Sequence, residues 1–191
     1  MSYIQAPLFV MGSNAAVVPA GYNALLARPG DVLLCHRSGF ASAAIRGGER
    51  LRFQSGARWS HCALVETPTT IIEALTHGVK RSSLSAYTNT DYMLIHTQLD
   101  GKDAMQAVAF AQSCIGQEYG FLTDFAIALR FLTPGRGLAL SLNGTEICSG
   151  LVAQALCRGW ANFPVNPASI TPAEIAEYYS APTQPTKRGN K

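Results

Sequence analysis

Two apolar runs separated by a turn constrain this chain more than any other stretch. Ser60-His61-Cys62-Ala63-Leu64-Val65 reads as a strand, Glu66-Thr67-Pro68-Thr69-Thr70 as a turn, and Ile71-Ile72-Glu73-Ala74-Leu75 as the returning strand. A hairpin of this kind commits the chain to antiparallel pairing. If it is centred on Thr67, His61 faces Glu73 and Ala63 faces Ile71. Directly opposed residues share one face of the sheet, with Cβ atoms about 4.5–5.5 Å apart. A carboxylate at Glu73 then reaches one imidazole nitrogen of His61 and fixes its tautomer. Taken singly, His61 is a strand histidine bonded to backbone and Glu73 a solvated carboxylate, but Ile-Ile-Glu-Ala-Leu is an apolar setting for a solvated group. A slip of one residue would turn Glu73 to the other face, and His77 would then be the substitute partner.

A second stretch, Ser141 to Leu156, supplies a nucleophile candidate. A polar, turn-prone run (Ser141, Asn143, Gly144, Thr145) leads into Cys148, and Leu151, Val152, Ala155 and Leu156 then recur with helical spacing. Cys148 is therefore expected at or just before the first turn of a core-facing helix. The unpaired N–H groups and positive dipole end there favour a thiolate. The same N–H groups suit an oxyanion. A lone cysteine in such a place is more often a packed core residue, so Cys148 gains weight only beside a base and an orienter. His61 and Glu73 supply those two roles.

Composition bounds the alternatives. At 191 residues, with 48% hydrophobic and 14% charged side chains, the chain reads as one globular domain. A net charge of +3 makes no case for nucleic acid or an anionic membrane. Five cysteines without a CxxC spacing argue against a disulfide scaffold and for a reducing compartment. The start carries no basic segment before an apolar one, and no long charge-free apolar run follows. The expectation is cytoplasmic synthesis without a stable membrane span; delivery outside by a phage or a signal-independent route stays compatible with it. Cys35-His36 and His61-Cys62 lack metal-site spacing, and Gly47-Gly48 lacks the Lys-Ser/Thr of a phosphate loop. No metal and no cofactor is expected.

Elsewhere the pattern is coarser. Residues 1–28 are apolar but broken by Pro7, Gly12, Pro19 and Gly21, and read as a surface-hugging arm with a short helix near Tyr22–Ala27. Pro29-Gly30-Asp31 is a turn and Val32–Cys35 a short buried strand. Residues 38–50 form a small helix or loop. Val79–Leu84 and Tyr92–His96 read as strands, and Lys102–Cys114 as a helix. Phe121–Leu142 has helical spacing and reads as a core helix ahead of a lid for an acyl chain. Arg158-Gly159 closes the Cys148 helix. Thr171-Pro172-Ala173-Glu174 is a capping box opening a last helix to Tyr179, and 181–191 reads as a disordered tail. Cys62 is expected on the face opposite His61, in the core; His36 and His96 carry no partner signal.

The order of these pieces resembles a known group. Pro29-Gly30-Asp31-Val32-Leu33, Trp59 through Val65, Ile72-Glu73-Ala74, Gly78-Val79, Gln117-Glu118-Tyr119-Gly120-Phe121, Ile147-Cys148-Ser149-Gly150-Leu151-Val152 and Asn166-Pro167 through Glu174 are similar to the circularly permuted NlpC-type branch of the papain-like fold, the YaeF/YiiX-like proteins. Lecithin–retinol acyltransferase is a more distant relative. The resemblance covers about residues 29–178. It implies an α+β class with a small antiparallel sheet packed against helices, a permuted papain-like catalytic domain over 29–180, and a Cys-His-polar triad in which the histidine strand precedes the cysteine helix.

On this resemblance Cys148 is the nucleophile, His61 the base and Glu73 the orienter. Related acyltransferases carry histidine at the third position, and this chain departs from them with Glu73. Tyr119 and Ser149 fall where the family places groups near the nucleophile, as candidates for oxyanion or substrate binding. For Tyr119 an ordinary packed aromatic after a helix is an equal reading. The implied activity is cysteine hydrolysis of an amide, in a peptide or isopeptide such as a cell-wall stem peptide. Lipid acyl hydrolysis or transfer is the alternative, and a non-catalytic binding module on the same fold the third.

Overall fold

The computed structural model describes residues 9–10, 15–18, 27–36, 59–75, 77–117 and 145–180. Seven strands form one sheet: β1 (Phe9–Val10), β2 (Ala15–Val18), β3 (Val32–Cys35), β4 (His61–Thr67), β5 (Thr70–Leu75), β6 (Gly78–Ser83) and β7 (Tyr92–Ile95). Their spatial order is β1-β2-β7-β3-β4-β5-β6, and every adjacent pair is antiparallel. Among the described residues three α-helices follow the sheet strands: α1 (Gly101–Ser113), α2 (Thr145–Arg158) and α3 (Pro172–Ser180). The class is α+β with an antiparallel sheet. Part of the stretch read as a surface arm instead extends that sheet, because β2 pairs its Ala15–Val18 along β7 and occupies an edge whose N–H and C=O groups would otherwise be unpaired. The expected helix near Tyr22, the segments 38–50 and 121–142, and the 181–191 tail lie outside the described residues, apart from Ala27 at the helix end.

The hairpin of β4 and β5 differs from the register expected from sequence. Its turn is tighter: Thr67 pairs with Thr70, leaving Pro68 and Thr69 as a two-residue loop. The Thr67 hydroxyl explains the turn, since it accepts the backbone N–H of Thr69 at 3.3 Å and of Thr70 at 3.1 Å. Continued without interruption, that turn would set Glu73 across from Leu64, on the face opposite His61. An irregularity between Val65 and Thr67 prevents this. Glu66 is the extra residue of a bulge, and past it Val65 pairs with Ile71 and Leu64 with Ile72. Glu73 therefore lies level with Ala63, and His61 and Glu73 share a face as diagonal neighbours. The bulge itself is anchored. The Glu66 carboxylate accepts both Arg81 Nε and the Arg81 terminal nitrogen at 2.5 Å, Gln112 Nε2 of α1 at 2.7 Å and the Thr70 hydroxyl at 3.1 Å.

Both sheet faces are buried. β3 and the first six residues of β4 are buried throughout, so they read as continuous apolar runs rather than alternating ones. One face packs Val32, Leu34, Cys62, Leu64 and Ile72 against Val152, Ala155 and Leu156 of α2. The other gathers Leu33, Ala63, Val65, Ile71 and Leu94, with Tyr87 packed against it. Fully burying one aliphatic side chain contributes about 1.5–3 kcal/mol, and Val152 and Leu156 are wholly buried, so α2 is fixed against β4 by its apolar stripe.

Helix ends follow sequence signals with one exception. Thr171 and Glu174 form the expected capping box reciprocally: the Glu174 N–H donates to Thr171 Oγ1 at 3.2 Å and the Thr171 N–H to Glu174 Oε2 at 2.9 Å. At the end of α2 the left-handed residue is Trp160, with φ of 70°, not the neighbouring glycine. Gly159 is required for a different reason. A Cβ there would meet the Asp103 carbonyl oxygen at 2.7 Å, because the end of α2 abuts the first turn of α1.

Candidate active site

The site is assembled by the first half of β4, the middle of β5 and the start of α2. The ladder between β4 and β5 runs from the turn to Leu64–Ile72. Beyond it the two strands keep their outer neighbours: Cys35 pairs with His61 and Glu73 with Lys80. The amide directions then matter. The Val65 N–H donates to the Asp31 carbonyl at 2.8 Å, so odd-numbered amides of β4 face β3 and even-numbered ones face β5. The Cys62 N–H thus points to the side of β5, and its acceptor there is the sulfur of Cys148.

Cys148 is the fourth residue of α2, slightly deeper than the sequence pattern placed it and at the limit of the N–H groups that lack an intrahelical acceptor. It is 1% exposed. Three donors converge on its sulfur: the Cys62 S–H, the His61 side chain and the Cys62 N–H. Burial alone would push the thiol up. The Cys62 S–H, the His61 charge and these hydrogen bonds overcome it and hold Cys148 well below the ordinary thiol value.

His61 lies between the thiol and the carboxylate. Its Nε2 is 2.7 Å from Glu73 Oε2, and its side chain also hydrogen-bonds Cys148. With Nε2 committed to Glu73, Nδ1 is the nitrogen left for the sulfur. Burial lowers its pKa, but the Cys148 charge, its hydrogen bond and then Glu73 raise it to about 9. Glu73 is 2% exposed. Burial raises its pKa, and hydrogen bonds from His61, Ser82 and Tyr87 reverse this and bring it to about 2. The directions of these shifts favour a thiolate, an imidazolium and a carboxylate in a row.

Tyr87 is the member that sequence reasoning missed. It closes the short 3-10 turn Leu84–Tyr87 after β6. Its hydroxyl donates to Glu73 Oε2, and its ring lies nearly parallel to the imidazole, with centroids 6.2 Å apart and planes at 15°. No period marks it, because it sits in neither a strand nor a long helix; only the Ser83 N-cap, which accepts the Ser85 N–H at 3.3 Å, signals a turn there.

The other sequence candidates fall elsewhere. The Ser149 hydroxyl is buried and donates to the Ile170 carbonyl at 2.5 Å, so it ties α2 to the segment before α3. Tyr119 lies outside the described residues. His77 is exposed in the β5–β6 turn and does not replace Glu73. His96 does have a partner: its Nδ1 is 2.9 Å from Asp31 Oδ2. Asp31 also accepts the Arg28 and Thr97 amides, which ties the start of β3 to the end of β7. Cys62 is in the core, as expected, and additionally hydrogen-bonds Cys148. Among the described residues, no group of three or more His, Cys, Asp and Glu is placed to hold a metal ion, and no helix is long and apolar enough to cross a membrane.

Compared with models of known families the chain matches none, and no curated protein matches it.

Proposed function

We propose that this protein is a cysteine hydrolase that cleaves an amide bond through Cys148, His61 and Glu73. One observation carries the reading: a buried histidine hydrogen-bonded on one side to a cysteine at a helix start and on the other to a carboxylate. The motif order read from the sequence supports a permuted papain-like form of the α+β fold for it. In the first step the Cys148 sulfur attacks the carbonyl carbon, a C–S bond forms, and the carbonyl π electrons move to oxygen. N–H groups at the start of α2 serve as the donors for that oxyanion. Its collapse breaks the C–N bond, and the His61 imidazolium gives its proton to the departing amine. Water, deprotonated by His61, then attacks the thioester and releases the acid and the thiolate. Glu73 holds the ring and stabilises its charge throughout.

The substrate reading favours a peptide or isopeptide, such as a cell-wall peptide. The apolar stretch from Phe121 to Leu142 favours a lipid acyl group instead. Incubating the protein with purified peptidoglycan and, separately, with phospholipid vesicles separates the two when products are identified by mass spectrometry. Cys148→Ala is expected to abolish product in whichever arm is active and to leave the circular dichroism spectrum unchanged. Full turnover by Cys148→Ala would sink the mechanism. Fast alkylation of Cys148 by iodoacetamide without turnover on any acyl substrate would point to the binding-module alternative.

A further inference from the structure

A second thiol lies against the nucleophile, and we propose that Cys62 and Cys148 form an oxidative-modification site: a hydroperoxide oxidises Cys148, and Cys62 closes a reversible disulfide upon it. The inference rests on the reading of Cys148 as an ionised nucleophile. Cys62 lies on the α2 face of β4, and both cysteines are reduced and buried in one apolar cluster. The Cys62 S–H donates to the Cys148 sulfur, and the Cys62 N–H donates to the same atom. Two groups of one residue therefore already reach the sulfur that a disulfide would join. Passing from hydrogen-bonded thiols to an S–S bond of about 2.05 Å calls for rotation about the two Cα–Cβ bonds.

The chemistry balances with hydrogen peroxide or an organic hydroperoxide as the oxidant. The Cys148 thiolate attacks one peroxide oxygen, an S–O bond forms and the O–O bond breaks. The departing hydroxide takes the His61 proton and leaves as water, or as the alcohol for an organic hydroperoxide. The Cys62 sulfur then attacks the sulfenic sulfur, the S–S bond forms and the S–O bond breaks. The Cys62 proton leaves with the hydroxyl group as a second water. Two thiols lose two electrons and the peroxide gains them. The order of events is built into the charges. Burial and the neighbouring Cys148 charge hold the Cys62 proton in place. Once Cys148 is a neutral sulfenic acid that charge is gone, and Cys62 ionises more readily. The pair would protect Cys148 from irreversible oxidation to the sulfinic acid.

The test uses the whole reduced protein at pH 7, titrated with hydrogen peroxide and mapped by non-reducing peptide mass spectrometry. The expected result is a Cys62–Cys148 cross-linked peptide. Iodoacetamide labelling of Cys148 should fall by about tenfold or more and return on treatment with dithiothreitol. In Cys62→Ala, Cys148 should instead accumulate sulfinic acid and stay unlabelled after reduction. Should that variant fail to fold, the wild-type cross-link decides alone. A cross-link from Cys148 to Cys35, Cys114 or Cys157, or sulfinic acid forming as fast in the wild type as in Cys62→Ala, would overturn the proposal. The labelling rate before peroxide keeps the two readings apart. Slow alkylation of Cys148 counts against the hydrolase, whereas fast alkylation without the Cys62 cross-link counts against the disulfide alone.

Discussion

The β4–β5 hairpin carries two carboxylates, Glu66 and Glu73, and the environment brings both to a pKa of about 2. They get there by different means. Glu66 is held by the fixed charge of Arg81, with Gln112 and Thr70 filling its remaining lone pairs. Glu73 is held by His61, a partner that itself titrates, together with Tyr87 and Ser82. A lowered pKa therefore marks a satisfied carboxylate, not a functional one. The difference lies in what the partner can do next: Arg81 has nothing further to give, whereas His61 also reaches the Cys148 thiol. The two are also linked in order of construction. Glu66 is the bulge residue, and the bulge decides which face Glu73 occupies.

Inserting one alanine between Ile72 and Glu73 should break the site with the largest effect. With the Leu64–Ile72 pair kept, the added residue lies level with Ala63 and Glu73 moves level with Cys62, onto the face away from His61. Iodoacetamide labelling of Cys148 at pH 7 should then drop to the rate of an ordinary thiol, a loss of roughly 10²-fold for a group whose pKa returns to about 8.5 or above. Deleting Glu66 is the contrasting case: the extra residue leaves with the bulge, Val65 still meets Ile71, Glu73 stays level with Ala63, and labelling should be retained. An insertion variant that folds and still labels at the wild-type rate would show that the face of Glu73 does not set the Cys148 thiolate.

Conservative changes at the two carboxylates should separate them. Glu66→Gln keeps an acceptor but loses the charge opposite Arg81, whose side chain is half exposed, so it should lower stability in urea unfolding only modestly, with the Cys148 labelling rate unchanged. Glu73→Gln should do the reverse. Its amide still occupies the space, but the imidazolium loses its counter-charge, so labelling at pH 7 should fall by about tenfold, the equivalent of one pKa unit or 1.36 kcal/mol. Equal labelling in Glu73→Gln and wild type would reduce Glu73 to a packing role.

Alkali should distinguish them next. Both carboxylates have depressed pKa values, so each contributes stability above about pH 4.5 that is lost as the pH falls toward 2. On the basic side only one of them responds. His61 is raised to about 9, so its favourable interaction is complete below the unfolded value of about 6.5 and is lost as the pH rises through 9. Arg81 stays charged throughout. Cys148, held below the ordinary thiol value in the folded state, offsets that loss up to its unfolded value of about 8.5, so unfolding free energy should decline only above about pH 8.5 in the wild type and stay flatter in His61→Gln, which keeps a donor for Glu73 without a titrating charge. Parallel curves would mean that the imidazolium is not the charged partner.

Much of this was legible in the sequence, for reasons that are partly instructive. β3 and the hairpin strands were readable because short, buried apolar runs bounded by turn residues have few alternatives. The Thr171–Glu174 capping box was readable because both halves of the reciprocal bond lie three residues apart. The shared face of His61 and Glu73 was read correctly from a register that was not the real one. The sequence suggests a turn centred on Thr67, the structure has a tighter turn plus a bulge, and the two departures cancel in parity. A bulge leaves little local trace: its anchor, Glu66, is identifiable only once Arg81 and Gln112 are seen to converge on it. Tyr87 and the Cys62–Cys148 contact were illegible for a related reason. Tyr87 depends on how the short turn after β6 folds back over β5, and the Cys62–Cys148 contact on where α2 lands far along the chain from β4; strand alternation assigns Cys62 to the core without revealing what the core holds opposite it.

The smallest expected effect is the most specific. Tyr87 donates a hydrogen bond to the Glu73 carboxylate and lays its ring beside the imidazole. Tyr87→Phe keeps the ring and removes only the donor. A hydrogen bond to a charged group contributes about 1.5–3 kcal/mol, and His61 and Ser82 keep theirs, so the carboxylate becomes more basic and draws the His61 proton more strongly. The acid limb of Cys148 labelling, which follows the thiolate–imidazolium pair, should move by less than about one pH unit, with the plateau rate retained. Tyr87→Ala also removes the stacked ring, leaves the imidazole freer to rotate away from the sulfur, and should lower the plateau as well. If Tyr87→Phe and Tyr87→Ala gave the same plateau loss with no movement of the limb, Tyr87 would support the hairpin through packing and play no part in tuning the Glu73 charge.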